Sequence, residues 1–413
     1  MALLVQKYGG TSVCDIEKIQ YVAQKIMAAK QQGYAVVVVV SAMQGETDRL
    51  DSLAHQLVEQ PSGRELDALL ATGEQVSAAL MTMALQKFGC AAKSLTGHQI
   101  GIKTCNSYTK ARILAIEMAE IESALAADKV VVVAGFQGID IHGNITTLGR
   151  GGSDTTAVAL ASALNADECQ IFTDVDGIYT ADPKLVPQAR KMKTVTFEEM
   201  LELSSLGAKV LQIRAVEFAG RYQLPVRVLS TFKEDLGTLI TFENGMEQPV
   251  VSGIVAHQQE AKLVIRGIDD IPGVAARILT PISQANIEVD MITQSAVQNN
   301  NKTDLTFTVH QRDYKQALQL LTSIGQELGA QQVFGDEQTA KLSLVGIGMR
   351  SHTPIASRMF EVLGQLGVNI QLLSTSETKV SVLLDEKYIE QSVRALHSAF
   401  NLHTASVKEH MVA

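Results

Sequence analysis

Short apolar runs alternate with stretches of helical hydrophobic spacing over the first 245 residues of the chain. The β-branched runs at residues 36–40 and 130–133 are typical of strands that are buried on both faces of a parallel sheet. Apolar residues from Ile16 to Ile26 recur every three or four positions and predict an amphipathic helix. The alternation predicts an α/β domain, with an open, mostly parallel sheet between helix layers.

The helical signal is longest over residues 66–85 and predicts one long packed helix, whose apolar positions include Val76 and Met83. Farther along, Thr196 and Glu199 have the spacing of a capping box and predict the start of another helix. The remaining strand-forming segments of this half of the chain are residues 3–8, 169–173, 224–229 and 239–242.

The pattern changes at residues 243–249, a short polar stretch that contains one glycine and one proline. Beyond it we expect a strand at residues 250–256, after which the chain repeats itself. Each copy has the order strand, helix, strand, strand, helix, which predicts two similar small domains in tandem. The matching segments are 263–268 with 342–347, 274–279 with 355–360, and 287–292 with 368–373.

The composition is that of a soluble protein with an ample core, since 46% of the 413 residues are hydrophobic and 19% are charged. The net charge of −9 argues against a nucleic-acid or anionic-membrane surface. The cysteines, Cys14, Cys90, Cys105 and Cys169, are not paired in sequence, which is typical of reduced thiols. Because we find neither a secretion signal nor an apolar run of the ~20 residues that a membrane helix needs, we expect a cytoplasmic protein.

The most informative polar motif is the stretch 149–156, Gly-Arg-Gly-Gly-Ser-Asp-Thr-Thr, which an apolar segment follows at once. Its glycines let a ligand approach the backbone closely, and its other small polar residues are helix-capping types. The free N–H groups at a helix start favour an anion, and Arg150 adds a fixed cation. The motif therefore predicts a phosphate or carboxylate site, with a Gly-rich loop that only caps a helix as the alternative.

Two further polar turns follow predicted strands. Lys7 ends the first strand and is followed by Gly9, Gly10 and Ser12, which predicts a second anion-binding turn. Its spacing is not that of a P-loop. The segment 172–184 runs from a strand end through acidic residues and a glycine to an Asp-Pro stop. Open α/β sheets bind ligands beyond the carboxyl ends of their strands, so we expect all three turns to lie there.

Together these segments resemble the amino acid kinase family, and within it the aspartate kinases. The resemblance covers nearly the whole chain, and the order and spacing of the segments make it specific. The C-terminal repeat resembles the ACT domain, a small βαββαβ module that binds amino acids. The segments that carry the resemblance to the kinases are 7–12, 41–43, 72–74, 135–138, 149–156, 173–184, 197–200 and 207–210.

The resemblance implies a catalytic domain at residues 1–245, a linker and strand at 246–262, and two ACT domains at 263–338 and 339–413. The strand is expected to join the second ACT domain, so that the first is nested inside it. The implied reaction transfers the γ-phosphoryl group of MgATP to the side-chain carboxylate of L-aspartate, which opens lysine, threonine and methionine synthesis. We expect the monofunctional form, because no second catalytic domain follows the repeats.

Phosphoryl transfer to a carboxylate needs positioned charge and no general base, so the absence of a Ser/His/Asp set is expected. The resemblance assigns charge stabilisation in the transition state to Lys7. It assigns orientation of the catalytic lysines and the metal shell to Asp174. Mg²⁺ is expected to bind mainly through the nucleotide phosphates, with no dedicated metal site. The implied ATP-binding residues are Lys7, Tyr8, Gly9, Gly10, Ser12, Thr173, Asp174, Tyr179, Asp182, Lys184, Lys209 and Val210.

For the amino acid substrate, the resemblance implies that Arg150 clamps a carboxylate and that Glu74 accepts the α-ammonium group. Hydroxyl groups after the second strand are placed to orient the acceptor. The further substrate-binding residues that we expect are Ser41, Thr47, Gly151 and Ser153.

The ACT repeat implies feedback inhibition by lysine, threonine or both, and a homodimer or larger homo-oligomer joined through these domains. Ser295 follows Gln294, where relatives commonly have Asn, so the identity of the effector stays open. Some relatives make a separate regulatory subunit from an internal start, and Met246 lies where such a start would fall. The expected effector residues are Asp270, Gly273, Ala275, Ala276 and Gln294 of one chain with Asn369, Ile370, Thr375, Ser376 and Glu377 of another.

Three other interpretations stay open. The chain is alternatively a glutamate, acetylglutamate or uridylate kinase, against which the ACT repeat and the motif 149–156 both argue. It is alternatively an amino-acid sensor with an inactive kinase domain, against which the presence of Lys7, Arg150 and Asp174 argues. The repeat alternatively serves dimerisation alone, although Gly273 lies at a turn where backbone N–H groups can receive a carboxylate.

Overall fold

The computed structural model of the protein describes residues 2–207, 210–242, 250–297, 301–349 and 353–404. Contacts divide the chain into two units. The first unit consists of Met1–Ile178 and Lys191–Met246, and the second consists of Tyr179–Arg190 and Glu247–Ala413. The segment Tyr179–Arg190 therefore packs with the C-terminal half, although the sequence places it inside the expected catalytic domain.

The first unit contains strands and helices in alternation. Its strands are β1 (Leu3–Tyr8), β2 (Ala35–Val40), β3 (Ala92–Leu95), β4 (Lys103–Thr104), β5 (Ile113–Ala115), β6 (Val130–Ala134), β7 (Gln137–Ile139), β8 (Ile145–Thr147), β9 (Glu168–Thr173), β10 (Thr194–Thr196), β11 (Val226–Ser230) and β12 (Thr238–Thr241). Its helices are α1 (Ile16–Gln31), α2 (Glu46–Leu57), α3 (Gly63–Leu70), α4 (Thr72–Lys87), α5 (Ala119–Ala126), α6 (Gly152–Ala163), α7 (Phe197–Ser205) and α8 (Ile213–Arg221).

An eight-stranded sheet with the order β10-β12-β11-β9-β1-β2-β6-β3 lies at the centre of this unit. Every neighbouring pair is parallel except β11 and β12, which confirms the predicted mostly parallel sheet. The apolar strands β2 and β6 pair with each other, and Val36 to Val40 and Val130 to Ala134 are all buried. A smaller sheet has the order β5-β4-β7-β8. The predicted capping box of Thr196 and Glu199 opens α7.

The predicted long helix is in fact two helices, α3 and α4, which meet at Ala71. The buried face of α4 also differs from the prediction, since Val76 and Met83 are exposed and Glu74 is buried. The buried face includes Gly73, where an added Cβ would lie 2.8 Å from the Cβ of Ala42. This small residue lets α4 approach the chain after β2 closely.

The stretch of residues 63–87, taken through both helices, is long and apolar enough to cross a membrane by length and composition. It is the one such stretch among the described residues, and 56% of its most apolar window is buried inside the protein. It therefore packs in the manner of a core helix.

The second unit has one antiparallel sheet of six strands in the order β14-β15-β13-β16-β18-β17. These strands are β13 (Val250–Asp269), β14 (Val289–Val297), β15 (Lys302–His310), β16 (Gln332–Ile347), β17 (Leu372–Thr375) and β18 (Lys379–Asp385). The helices are α9 (Val274–Gln284), α10 (Tyr314–Glu327), α11 (Thr353–Gln365) and α12 (Ile389–Ala399).

The two repeats share the long strand β13. Its first part, from Val250 to His257, pairs with the end of β16, which belongs to the second repeat. Its later part, from Glu260 to Asp269, pairs with β15 of the first repeat. The first repeat therefore lies between two chain segments that contribute to the second. Each repeat has its own apolar core, and the core of the second includes Ala181.

Candidate active site

An open pocket of about 330 Å³ lies at the carboxyl ends of β1 and β9 in the first unit. The three polar turns that we predicted from the sequence all contribute to its lining, through Lys7, Asp154 and Thr173. The parallel sheet brings them together because neighbouring strands end at the same edge. The lining residues are Lys7, Gly9, Gly10, Thr11, Gln44, Asp154, Thr173, Asp174, Val210, Leu211 and Gln212.

A buried ion pair stands in this pocket. Lys7 Nζ lies 2.6 Å from Asp154 Oδ1, and each side chain is only 11% exposed. The contact does not have hydrogen-bond geometry at the carboxylate, so we regard it as Coulombic. Lys7 is placed by the last residues of β1, and Asp154 is placed by the first turn of α6. A cation is therefore held at the pocket wall before any ligand arrives.

The partner of Lys7 differs from the residue that we expected. The family resemblance implied that Asp174 orients the catalytic lysines, and we expected Asp154 only as a helix-capping residue. In the structure Asp174 is exposed on the pocket lining and accepts a hydrogen bond of 3.0 Å from the Thr173 hydroxyl. Asp154 holds Lys7 instead. The available signal was an acidic residue in the first turn of a helix that follows a Gly-rich loop.

The start of α6 is capped by glycine and not by the serine or threonines of the motif. Gly151 is the N-cap with a left-handed φ of 70°, and its helix end has no side-chain cap. A Cβ at Gly151 would lie 1.8 Å from Gln212 Cγ, so only glycine fits. Thr155 and Thr156 lie inside the first turn and donate to the carbonyls of Gly151 and Gly152. The helix start was predicted correctly, but its cap was not.

Tyr8 and Ser12 pack behind the turn that follows β1, and they are not part of the pocket lining. The buried Tyr8 ring stacks on Phe172 with 4.7 Å between centroids, and burial raises the pKa of its hydroxyl. Ser12 Oγ shares a buried hydrogen bond of 2.6 Å with Thr231 Oγ1. The backbone N–H of Gly9 donates to the carbonyl of Phe172 at 3.2 Å. Their predicted contact with the nucleotide stays a prediction.

The predicted amino-acid side of the site contains a buried carboxylate. Glu74 is 3% exposed, and its Oε1 accepts a hydrogen bond of 3.0 Å from the N–H of Ala42. Its Oε2 is buried and has no hydrogen-bond partner among the described residues. Burial raises the pKa of Glu74 to about 7, because the charged form loses its hydration. Such a carboxylate is suited to receive a cation from a ligand.

Other predicted substrate residues surround the ends of β2 and β6. The N–H of Ser41 donates to the carbonyl of Tyr8, and that of Gly135 donates to the carbonyl of Val40. Ser153 is buried against Gly135, where an added Cβ would lie 2.8 Å from the serine Oγ. Ser41 and Ser153 thus lie near the same sheet edge.

Arg150 is exposed on the Gly-rich loop, and the support of that loop was missed by the sequence analysis. The buried Asp67 accepts hydrogen bonds from the N–H and hydroxyl of Thr147, at 2.8 and 2.6 Å. Arg214 donates to the carbonyl of Leu148 at 2.6 Å. These two charged residues fix the chain just before the loop. Neither stands in a recognisable motif, so nothing in the local sequence marks them.

Thr47, the remaining expected substrate residue, lies in the first turn of α2 and is half-buried.

Three further expected ATP-binding residues, besides Tyr8 and Ser12, do not lie in the pocket lining. Tyr179, Asp182 and Lys184 belong to the segment Tyr179–Arg190, which folds with the second unit. There Asp182 Oδ1 accepts a hydrogen bond from the N–H of Lys184. Their contact with nucleotide stays a prediction. Lys209 lies outside the described residues, whereas its neighbour Val210 lines the pocket.

The expected effector residues fall into two groups on opposite edges of the six-stranded sheet. Gly273 caps α9 with a left-handed φ of 88°, and Gln294 is on the outer strand β14. Thr375 is on the other outer strand, β17. Five inter-strand steps of about 4.8 Å separate these strands by about 24 Å. One chain therefore cannot bring the two groups together within its own sheet. Met246, the position of the expected internal start, lies outside the described residues.

Residues 2–230 match the Amino acid kinase family, and residues 262–323 and 342–400 match the ACT domain. The aspartokinase of Pseudomonas aeruginosa is 60% identical over 405 residues, which cover 97% of this chain and 98% of that protein. The aspartokinase of Mycobacterium tuberculosis is 47% identical over 407 residues, which cover 97% of both chains.

Solved structures of similar proteins point the same way. E. coli aspartokinase III in complex with aspartate and ADP has a TM-score of 0.79 at 26% identity, covering 96% of this chain and 99% of that one. The same enzyme in complex with lysine and aspartate has a TM-score of 0.75 at 27% identity over 96% of this chain and 99% of that one. The aspartate kinase from Synechocystis has a TM-score of 0.55 at 42% identity, covering 98% of this chain and 70% of that one.

Proposed function

Because the chain belongs to the amino acid kinase family, and within it to the aspartate kinases, we propose that the pocket at Lys7 holds the nucleotide phosphates and that L-aspartate binds beside Glu74. The buried Lys7–Asp154 pair carries this proposal, because it holds a cation where three anion-binding turns meet. The similar E. coli enzyme has been solved with aspartate and ADP, which supports both ligand classes.

The proposed reaction forms a bond between an oxygen of the aspartate side-chain carboxylate and the γ-phosphorus of ATP. The bond from that phosphorus to the β–γ bridging oxygen breaks, which gives ADP and 4-phospho-L-aspartate. The carboxylate is already a nucleophile, so no residue has to remove a proton. Lys7 stabilises the charge on the transferring group, and Asp154 keeps the lysine side chain in place.

Recognition of aspartate would use two opposite charges. The buried Oε2 of Glu74 is an acceptor without a partner among the described residues, and the α-ammonium of the substrate supplies the donor. Arg150 on the Gly-rich loop pairs with a substrate carboxylate. This arrangement leaves the other carboxylate directed at the nucleotide.

Mg²⁺ would supply charge neutralisation on the phosphates when bound with the nucleotide. Asp174 is exposed on the pocket lining and offers the hard oxygen ligand that this ion prefers. Among the described residues, no group of three or more His, Cys, Asp or Glu side chains could hold a metal ion. We therefore propose that the phosphates remain its main ligands.

For regulation we propose that lysine, threonine or both bind between ACT domains of two chains in a homodimer or larger oligomer. The two groups of effector residues on opposite sheet edges support this assembly, because a second chain is needed to complete a site. A similar E. coli enzyme has been solved with lysine. We place the reaction at the start of lysine, threonine and methionine synthesis in the cytoplasm.

Trapping of the acyl phosphate with hydroxylamine tests these proposals. Purified protein with MgATP and L-aspartate should give hydroxamate, and lysine, threonine or the mixture should suppress it. Release of ADP with glutamate, acetylglutamate or UMP, and not with aspartate, would move the substrate to another acceptor. No turnover with any acceptor would favour an amino-acid sensor, and turnover that neither effector changes would remove the regulatory proposal.

A further inference from the structure

Lys25 is a half-buried lysine of α1 that is not part of the pocket lining, yet it contacts the strand ends behind the pocket. Its Nζ donates to the carbonyl of Ser230 at 3.3 Å and to that of Thr231 at 3.0 Å. Ser230 ends β11, and Thr231 follows it. Buried carbonyls at a strand end need donors, and a charged donor makes the stronger bond.

The residue that Lys25 holds touches both phosphate-binding segments. Thr231 is fully buried, and its N–H donates to the carbonyl of Thr173 at 3.0 Å. Its hydroxyl shares the 2.6 Å hydrogen bond with Ser12. Thr173 lines the pocket, and Ser12 closes the turn that begins at Gly9. A shift of Thr231 would therefore reach both segments.

A second contact of Lys25 leads to the same turn. Its Nζ lies 4.8 Å from the ring centroid of Phe172, within the range of a cation–π interaction. Phe172 stacks on Tyr8, and its carbonyl accepts the hydrogen bond from the N–H of Gly9. Lys25 is thus connected to the phosphate-binding turn by two independent routes. Burial lowers the pKa of Lys25, as expected of an ammonium group that is partly removed from water.

We propose that Lys25 is a positioning residue for ATP binding, which acts through Thr231 and Phe172 to hold the turn of Gly9 to Ser12 against Thr173. The inference rests on the proposed placement of the nucleotide phosphates at Lys7. It deepens that proposal, because it assigns control of nucleotide affinity to a residue that touches neither nucleotide nor aspartate. Misplacement of a binding group by about 1 Å is enough to weaken its contacts with a bound ligand.

The test compares Lys25→Met, which keeps the stem and removes the charge, with Lys25→Arg, which keeps the charge. Lys30→Met is the matched control, because Lys30 lies on the same helix and pairs with Asp128 at 2.9 Å, away from the pocket. We expect Lys25→Met to raise the KM for ATP about tenfold, equivalent to ~1.4 kcal/mol, with the KM for aspartate within about twofold. Lys25→Arg should recover most of the ATP affinity, and Lys30→Met should not change it.

An unchanged KM for ATP in Lys25→Met would overturn the inference. So would a parallel loss of affinity for both substrates that follows the melting temperature and appears equally in Lys30→Met. Should Lys25→Met fail to fold, Thr231→Val removes the hydroxyl that Ser12 contacts and should still weaken ATP selectively. Direct binding of MgADP separates the two proposals. A protein whose MgADP affinity falls in Lys25→Met, but which phosphorylates no aspartate, would contradict only the proposed substrate.

Discussion

The proposed nucleotide side and the proposed amino-acid side of the site each contain a buried carboxylate, but the partners of the two carboxylates differ. On the nucleotide side, Asp154 lies 2.6 Å from the ammonium of Lys7. On the amino-acid side, Glu74 has one N–H donor and one buried oxygen without a partner among the described residues. Asp154 contacts Lys7 near the end of β1, and Glu74 contacts Ala42 just after β2, the strand that pairs with β1. The difference is therefore one of partners and not of location.

A buried charge is costly unless it is paired, so the two carboxylates should respond differently to ligands. The nucleotide side is organised before ATP binds, because Lys7 and Asp154 neutralise each other. In our proposal the amino-acid side is completed only by the substrate, because burial raises the pKa of Glu74 to about 7 and the α-ammonium supplies the missing partner. Preorganisation favours catalysis on one side, and selection of a cationic ligand favours specificity on the other.

Removal of Lys7 should have the largest effect. We expect Lys7→Met to lower kcat about a hundred- to thousandfold, because a preorganised charge stabiliser is lost. The variant also leaves Asp154 buried without its cation, so the melting temperature should fall. Steady-state assays with saturating MgATP and aspartate, together with thermal unfolding, measure both effects.

The double variant Lys7→Met/Asp154→Asn is the control for that experiment. It removes both charges, so the melting temperature should recover while kcat stays low. A single variant that retains more than about a tenth of the wild-type kcat would contradict the role of Lys7, since that loss is only ~1.4 kcal/mol.

Substitution of Glu74 by Gln should act on the substrate and not on the nucleotide. The amide oxygen still accepts the N–H of Ala42, but the charge for the α-ammonium is gone. We expect the KM for aspartate to rise about ten- to hundredfold, the range of a hydrogen bond to a charged group of about 1.5–3 kcal/mol. The KM for ATP should stay within about twofold, since only the aspartate contact is lost.

Glu65→Gln is the matched control for this prediction, because Glu65 lies on α3 with a side chain that is 67% exposed. It should leave both KM values unchanged. A rise in the KM for ATP in Glu74→Gln as large as that for aspartate would mean that the two sides of the site are not separate in the way that we describe.

Hydrophobic patterning was sufficient to predict the central strands. Buried β-branched runs such as β2 and β6 fit few environments other than a covered parallel sheet. The polar turns were predicted because glycine, capping residues and fixed cations occur together at strand ends. The family that these turns suggested is confirmed by the comparisons.

What patterning missed depends on contacts between distant parts of the chain. The buried face of α4 includes Gly73 in close contact with Ala42 and the carboxylate of Glu74, neither of which hydrophobic periodicity predicts. The pairing of Asp154 with Lys7 needs the relative placement of α6 and β1. The segment Tyr179–Arg190 folds with the second unit because residues such as Ala181 pack in its core. Residue types were visible in each case, but distances were not.

The contrast between Glu74 and Asp154 also predicts that the wild type and Glu74→Gln differ in stability by an amount that depends on pH. A raised folded-state pKa means that Glu74 keeps its proton in the native state while the unfolded chain ionises near 4.5. Native stability therefore falls as the pH rises from about 4.5 to about 7, and this loss is complete above 7. The amide in Glu74→Gln cannot ionise. The free energy of unfolding of this variant should therefore rise relative to that of the wild type by up to about 2 kcal/mol between pH 5 and pH 7.5.

Denaturant unfolding of both proteins across this pH range measures the gain, and other groups cancel in the difference. The ligand-free proteins are required, because bound aspartate would supply the missing partner. A constant difference between the two curves would show that Glu74 titrates at an ordinary pKa in the folded protein, and the contrast with Asp154 would then be lost.

The smallest expected effect is on the pH profile of activity. Aspartate brings its ammonium to an ionised Glu74, so kcat/KM for aspartate should rise as the pH passes through about 7. Between pH 6 and pH 8 the ionised fraction of a group with that pKa changes about tenfold, and kcat/KM should follow it.

The nucleotide phosphates also titrate in this range, so MgATP must be saturating and Glu74→Gln must be measured in parallel. The variant should show a flat profile, because its amide has no proton to lose. A rise of the same size in both proteins would assign the titration to the nucleotide or to another residue, and it would remove the cationic selection that we ascribe to the amino-acid side.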